Sequence, residues 1–459
     1  MEENIIKTPF SRRDMLKRTS CGFGYLAFAG IAKAAAAYSN PLAPRAPHFP
    51  AKVKRVIFMY MAGAPSQWET FDYSPELEKA EAKETTVTAA TGARRNGALM
   101  APRYKFAKQG QSGLPISDRF PHLSKHADSL CLLNGMYTDS SAHPQASIYL
   151  HTGSFTFVRP SMGAWTVYGL GSENQNMPGF ITINPSNTGG AQNYGSAFLP
   201  APYQGTTVTV GDDMVPNIKN ADMSTAEQRK QLDFLQKLNR QYSDKAKVDG
   251  ELEGVIQSYE LAFRMQATVP ELVSLDKETE ATKEMYGLND AATKNFGTQC
   301  LLARRLAESG VRFIEVSSDG WDHHNNLTAR MAANTQAIDK PIAALITDLK
   351  QRGLFEDTLL VWGGEFGRTP IGQNGDGRQH NSRGYSMWLA GGPVKGGMRY
   401  GVTDPTTGSA IADKVHLHDL HATMLHLLGL NHEKLTYRYA GRDFRLTDVH
   451  GRVVKEILA

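Results

Sequence analysis

Three apolar, strand-like runs each meet a loop rich in glycine, acids and histidine, and this recurrence constrains the fold more than any other feature of the chain. Val311-Arg-Phe-Ile-Glu-Val316 alternates as a β-strand does and leads into Asp319-Gly-Trp-Asp-His-His-Asn-Asn326. Asp357-Thr-Leu-Leu-Val-Trp362 empties into Gly363-Gly-Glu-Phe-Gly-Arg-Thr-Pro370. Gly377-Arg-Gln-His-Asn381 lies in a Gly/Asn/Asp-rich loop just before Tyr385-Ser-Met-Trp-Leu-Ala390. In an α/β sheet the loops beyond the carboxyl ends of parallel strands converge on one crevice. The pattern therefore predicts a single convergent site built by several strand ends.

The residue types at those ends suit a metal ion. Asp319 and His323 are four apart, and carboxylate with imidazole is the donor mixture of zinc, manganese and iron sites. Glu365 and His380 offer matching groups from the other two loops. Taken singly, Glu365 equally suits a loop ion pair and His380 an exposed surface position; their joint occurrence carries the expectation. His324, Asn325 and Asn326 could orient ligands. Arg368 and Arg378 flank the acids, placed either to clamp a tetrahedral anion bidentately or to pair with neighbouring carboxylates. His418, His421 and His426 fall at helical spacing among apolar residues and read mostly as packing.

The 459 residues are 41% hydrophobic and 21% charged, enough material for one large α/β domain or two smaller ones. The first 38 residues read as an export signal instead. Ser11-Arg-Arg-Asp-Met-Leu-Lys17 resembles the twin-arginine motif, and the apolar stretch Cys21–Ala32 ends near the small-residue site Ala32-Lys-Ala34. That stretch is too short for a stable transmembrane anchor. Without it the chain keeps 44 Lys/Arg against 43 Asp/Glu, nothing like the basic footprint of a nucleic-acid binder. The expected location is periplasmic or extracellular, with the twin-arginine export machinery as a partner. Cys131 and Cys300 sit in apolar runs, as buried thiols do, and two cysteines make no disulfide framework.

Residues 39–52 read as a Pro/Ala-rich linker and 53–459 as the folded domain. Further strands are expected at Lys54–Met61, Leu130–Leu133 and Gly179–Ile183, a surface excursion at 76–115, and a helix over His418–Leu428. A helical stretch at 224–310 opens on the capping signal Thr225-Ala-Glu-Gln228. Strands alternating with helices predict a mainly parallel sheet covered on both faces.

In this order the strand ends resemble the alkaline phosphatase/sulfatase superfamily, and most closely its secreted branch called domain of unknown function 1501. The resemblance is carried over nearly the whole chain by Met61-Ala-Gly-Ala-Pro-Ser-Gln-Trp-Glu-Thr-Phe-Asp72, Trp321-Asp-His323, Gly364-Glu-Phe-Gly-Arg-Thr-Pro370 and Leu435-Thr-Tyr-Arg-Tyr-Ala-Gly-Arg-Asp-Phe444. It implies an alkaline-phosphatase-like α/β fold with a mainly parallel central sheet and helices on both faces. It implies that Asp319, His323 and His380 hold one divalent metal, zinc first, with manganese or calcium as alternatives. Glu365 stands where a second metal's acid would be, but Phe366 replaces the neighbouring histidine, and Ser66, Glu69 and Asp72 are the candidates for a missing acid after the first strand. Asp322, His324 and Arg378 are expected around the ligands or against substrate.

Thr138-Asp-Ser-Ser-Ala-His143 and the Thr-Gly at 152–153 resemble the phosphatase nucleophile segment. Aligned forward from Thr138 the nucleophile falls on Ser140, with Ser141 beside it; aligned back from Gly153 it falls on His143. The serines could equally cap the helix that follows. The oxidised-cysteine nucleophile of sulfatases needs Cys-x-Pro-x-Arg, which neither Cys131 nor Cys300 provides. The implied activity is hydrolysis of phosphate or sulfate esters, free or on sulfated or phosphorylated glycans. The alternative is a non-catalytic envelope protein of the same fold that binds glycans or a protein partner.

Changing both Arg12→Lys and Arg13→Lys is expected to leave uncut precursor in the cytoplasm. Normal processing of that variant, read by immunoblot of cell fractions, would reject the twin-arginine assignment.

Overall fold

The computed structural model describes residues 41–459 apart from 90–91, 212–213, 216–217, 219–221 and 247–249, so the expected signal at 1–38 lies outside the described residues. The apolar runs supply a nine-stranded sheet. In chain order its strands and the hairpin beside it are β1 (Arg55–Met61), β2 (Leu130–Tyr137), β3 (Phe180–Ile183), β4 (Thr206–Val208), β5 (Phe313–Ser318), β6 (Thr358–Gly363), β7 (Gly367–Gly372), β8 (Arg378–Asn381), β9 (Tyr385–Ala390), β10 (Met398–Tyr400) and β11 (Val415–His416). The spatial order is β10-β2-β9-β6-β1-β5-β3-β4, with β11 also on β2 and the hairpin β7–β8 outside the sheet.

Central strands β1 and β6 are buried at every position, as strands covered on both faces must be. β9 pairs antiparallel with β6 and β2. The remaining pairings are parallel. The expected mainly parallel sheet is what forms.

Helices α1 (His143–Thr152), α2 (Met162–Leu170), α3 (Thr225–Ala246), α4 (Gly250–Val273), α5 (Lys294–Glu308), α6 (Leu327–Gln351) and α7 (Leu417–Leu427) follow the strands. Leu150 of α1, Met162 of α2 and Leu420 and Met424 of α7 meet Phe58 and Val361 on one face of the sheet. Helices α5 and α6, packed on each other, cover the other. The cap of α3 lies one residue before the expected signal: Ser224 Oγ accepts from Glu227 N at 3.3 Å while Glu227 Oε2 accepts from Ser224 N at 2.8 Å.

Residues 41–52 are tied down, with His48 N and Lys52 N donating to Gly429 and Leu427 carbonyls at 2.9 and 2.8 Å. The 76–115 excursion folds as two small hairpins, Glu84–Thr88 with Arg94–Ala98 and Phe106–Gln109 with Leu114–Ser117. Cys131 and Cys300 are free, buried thiols, and burial pushes Cys131 up to about 12. Among the described residues no helix is long and apolar enough to cross a membrane.

Parallel topology gathers the carboxyl ends of β1, β2, β5 and β6 at one edge of the sheet. The hairpin β7–β8 returns over that edge before β9 starts there. Two buried guanidiniums pin it. Arg368 on β7 donates to Ala64 and Gly63 carbonyls after β1, at 2.9 and 2.5 Å, and to Asp322 Oδ1 after β5 at 2.6 Å. Arg378 on β8 binds both oxygens of Glu69 at 2.8–3.1 Å and donates to Met100 and Pro370 carbonyls at 2.9 and 3.1 Å.

Neither partner of the Arg378–Glu69 pair is exposed. Removing one partner of a buried pair leaves an uncompensated charge. Arg378→Ala is therefore expected to lower the unfolding free energy by about 3–5 kcal/mol. Adding Glu69→Gln should recover part of the loss in a denaturant double-mutant cycle, and strict additivity would contradict the pairing.

Candidate metal centre

In the irregular loop after β5, burial alternates from Trp321 to His324. Trp321 and His323 turn into the interior, and both are fully buried. Asp322 and His324 therefore turn the other way, toward His143 at the start of α1 and His380 on β8. These four residues each present one donor atom, all within 4.8 Å of one another, and could hold a metal ion.

The separations are short. His143 Nε2 and His324 Nε2 lie 3.0 and 2.8 Å from His380 Nε2. Asp322 Oδ1 lies 3.2, 3.0 and 3.3 Å from the Nε2 atoms of His143, His324 and His380. Four donors around one ion at zinc–nitrogen distances would stand about 3.3 Å apart in a tetrahedron.

Each imidazole is fixed by its other nitrogen. His143 Nδ1 is 2.6 Å from Glu365 Oε1, His324 Nδ1 is 2.6 Å from Gln373 Oε1, and His380 Nδ1 is 2.7 Å from the Ser141 carbonyl. All three partners are acceptors, so each Nδ1 carries a proton and each Nε2, when its ring is neutral, presents a lone pair to the common point. Lone pairs this close, beside a carboxylate, repel unless an electrophile lies between them. The donor set fits a divalent cation.

Without an ion, the local charges favour a proton on the cluster instead. Burial opposes ionisation of Asp322, yet His143, His380 and Arg368 outweigh it and hold the carboxyl well below its usual range. Burial likewise disfavours a charged His143, but Asp322 and Glu365 raise it to about 8. Burial lowers His380.

Two close approaches make this geometry possible. Gly63, at φ +106°, brings its Cα so near the loop that a Cβ would stand 2.7 Å from Asp322 N. A Cβ on Gly377 would sit 2.1 Å from the His324 carbonyl oxygen, so the hairpin lies directly on the histidine loop.

Of the expected ligands, the structure brings His380 to the cluster but not Asp319 or His323. Asp319 is exposed, and His323 packs beside Trp321 with its pKa lowered to about 3 by burial, then by Arg330 and Arg368. The expectation followed the Asp-x-x-x-His pair of the family resemblance, whereas in this loop Asp319 is exposed and His323 is turned into the interior. Asp322 and His324, expected beside the ligands, take their places.

Glu365 stands one layer back, fully buried, accepting from His143 Nδ1, Gly63 N at 3.0 Å and Tyr60 OH at 3.2 Å. Phe366 packs its ring on His143 and His380, with centroids 4.7 and 4.9 Å apart. Arg368 and Arg378 have their donors committed to Asp322, Glu69 and backbone carbonyls, so neither is an open anion clamp, and Glu69 is the counter-charge of Arg378.

Ser140 is buried, and its Oγ accepts from Ala142 N at 3.3 Å. Ser141 contributes its carbonyl rather than its hydroxyl. Neither serine caps α1, whose N-cap is Ala142 with no side-chain bond. Ser66 is buried with its Oγ unpartnered, and Asp72 pairs with Arg399 at 2.6 Å. His421 Nε2 donates to the Leu150 carbonyl of α1, 2.7 Å away, as a packed residue. Gln373 and the Ser141 carbonyl are the partners that the sequence does not announce.

No curated protein matches the chain. Solved structures similar to it include the phosphonate monoester hydrolase SpPMH from Silicibacter pomeroyi, at 12% identity over 88% of this chain and 76% of that one, TM-score 0.40. A protein in the alkaline phosphatase superfamily from Vibrio parahaemolyticus is 11% identical over 91% of this chain and 74% of that one, TM-score 0.38. The PsFucS1 sulfatase from Pseudoalteromonas sp. is 14% identical over 84% and 68%, TM-score 0.35. A family model covers residues 53–458, and the chain thereby belongs to the family described as protein of unknown function DUF1501.

Proposed function

We propose that the chain is an exported, metal-dependent hydrolase of phosphate or sulfate monoesters, with free anionic esters or sulfated and phosphorylated glycans as its substrate class. One observation carries the reading: three imidazoles with fixed tautomers and one carboxylate converge beside the open amino-terminal end of α1. His143, Asp322, His324 and His380 would hold one divalent ion, and three nitrogens with one oxygen suit zinc. Bound there, the ion supplies Lewis acidity toward an ester oxygen.

The chain's own residues supply the rest. Helix α1 begins at the cluster, and its first amide groups have no side-chain cap, so they favour a negative charge placed there. Arg368 holds Asp322 in place and balances its charge. Glu365 keeps the proton on His143 Nδ1. With that nitrogen given to Glu365 and Nε2 turned to the cluster, His143 acts as a ligand rather than a nucleophile. Ser140 and Ser141, on the loop just before α1, remain the nucleophile candidates.

A binding protein of the same fold is the second reading. Glu365 is already satisfied by three donors, and Phe366 offers no ligand, which argues against a second ion of the two-metal kind.

Protein purified without chelator is expected to carry about one zinc per chain, as a four-donor site implies. Asp322→Ala and His380→Ala should empty it, while Asp319→Ala should not; a metal ratio unchanged in the first two, measured by elemental analysis, places the ion elsewhere.

The loaded protein should cleave aryl phosphate or aryl sulfate esters, lose activity to chelator, and lose at least ~100-fold in Asp322→Ala. Ser140→Ala and Ser141→Ala separate the two candidate nucleophiles, since only one should abolish turnover. A zinc-replete protein inert on both ester classes would favour the binding reading.

A further inference from the structure

Behind Glu365 lies a group of buried polar side chains that the proposed chemistry leaves unused. His143, Ser147 and His151 recur every four residues on α1 and form one stripe along the helix. Tyr60 of β1 sets its hydroxyl 2.8 Å from Ser147 Oγ and 3.2 Å from Glu365 Oε2. The one Tyr60 proton goes to the carboxylate, its stronger acceptor, and Ser147 Oγ, 2.8 Å from the Thr188 carbonyl, accepts from Asn193 Nδ2 at 3.0 Å. The His151 ring stands edge-on to Tyr60, with centroids 4.8 Å apart at 86°.

His151 is held in turn. Its Nδ1 donates to the Ser147 carbonyl at 2.7 Å, and its Nε2 is 3.3 Å from Glu315 Oε2 in the middle of β5. Glu315 Oε1 accepts from Thr182 Oγ1 at 3.3 Å. Both side chains of the pair are essentially inaccessible. Burial disfavours a charge on His151, and the facing Glu315 outweighs it, so the imidazole is raised above its ordinary value.

A pair this deeply buried is a poor source of stability, because apolar replacements of similar volume are commonly neutral or stabilising. Its effect is on orientation. The next donor to Glu365 Oε2 is Gly63 N at 3.4 Å, so without the Tyr60 hydroxyl that oxygen keeps only a long contact. The carboxylate could then turn about its last torsion and release His143 Nδ1.

We propose that Tyr60, backed by Ser147 and the His151–Glu315 pair, is a positioning residue: it fixes Glu365, which fixes the tautomer and ring angle of His143, and so sets the affinity of the metal centre. The proposal rests on the metal reading above.

Zinc affinity of Tyr60→Phe is the test, with Tyr286→Phe as control, since the Tyr286 hydroxyl donates to Asp348 on α6 at 3.0 Å. Tyr60→Phe should bind zinc about 10–100-fold more weakly, the usual cost of losing a group that orients a ligand. The control should match wild type, and the visible spectrum of the cobalt-substituted protein should change in Tyr60→Phe alone. The double variant His151→Leu with Glu315→Leu should bind zinc more weakly while its metal-free Tm stays at or above that of wild type. Unchanged zinc affinity in Tyr60→Phe overturns the proposal.

Should wild type take up no ion, the metal reading fails separately, and a crystal structure of metal-free Tyr60→Phe decides. The 2.6 Å contact from His143 Nδ1 to Glu365 is expected to open, and its persistence overturns the positioning role.

Discussion

Four donor atoms from separate segments are held within 4.8 Å of one another at one edge of the sheet, and most of the surrounding structure serves to keep them there. Each imidazole is gripped from behind by an acceptor belonging to a different segment: Glu365 after β6, Gln373 on the β7–β8 turn and the Ser141 carbonyl after β2. Asp322 is gripped by Arg368, whose other donors span the loop after β1. No single loop makes the site. Each loop orients a residue of another, so the geometry belongs to the assembled edge.

The two buried arginines show how unequal their apparent similarity is. Arg378 closes a fully enclosed ion pair with Glu69 and satisfies the carbonyls of a neighbouring chain segment. Arg368 reaches the cluster itself, and its planar fork lets one side chain hold a carboxylate and several carbonyls at once. A lysine in its place would carry the charge without that fork.

The fold was largely legible in the residues. Continuous apolar runs marked β1, β5, β6 and β9, and glycine-framed acids and histidines marked the edge where the parallel strands end. His380, Glu365 and His143 were named from the resemblance, Glu365 as a second metal's acid and His143 as nucleophile or ligand, and the structure places His143 and His380 in the cluster with Glu365 behind it. The choice within Asp319–Asn326 was not: the resemblance pointed to Asp319 and His323, whereas Asp322 and His324 are the residues that join the cluster. Trp321 held the missing signal: a large apolar residue in an irregular loop fixes which parity is buried, and hence assigns Asp322 and His324 to the site. The acceptors behind the imidazoles were beyond reach, since a backbone carbonyl and a glutamine in a polar turn carry no mark in sequence. Strands of two or three residues, such as β10 and β11, are too short for any period to show.

The placement of His380 on the hairpin that precedes β9 also fixes an order of assembly. It meets His143 across 237 positions and His324 across 56. Contacts so distant in sequence form late, after the loop-closure entropy of the intervening chain has been overcome. A growing polypeptide halted before His380 would own most of the sheet and three of the four donors, yet lack the residue that closes the cluster. The centre is thus a property of the finished domain, acquired near the end of synthesis rather than nucleating its beginning.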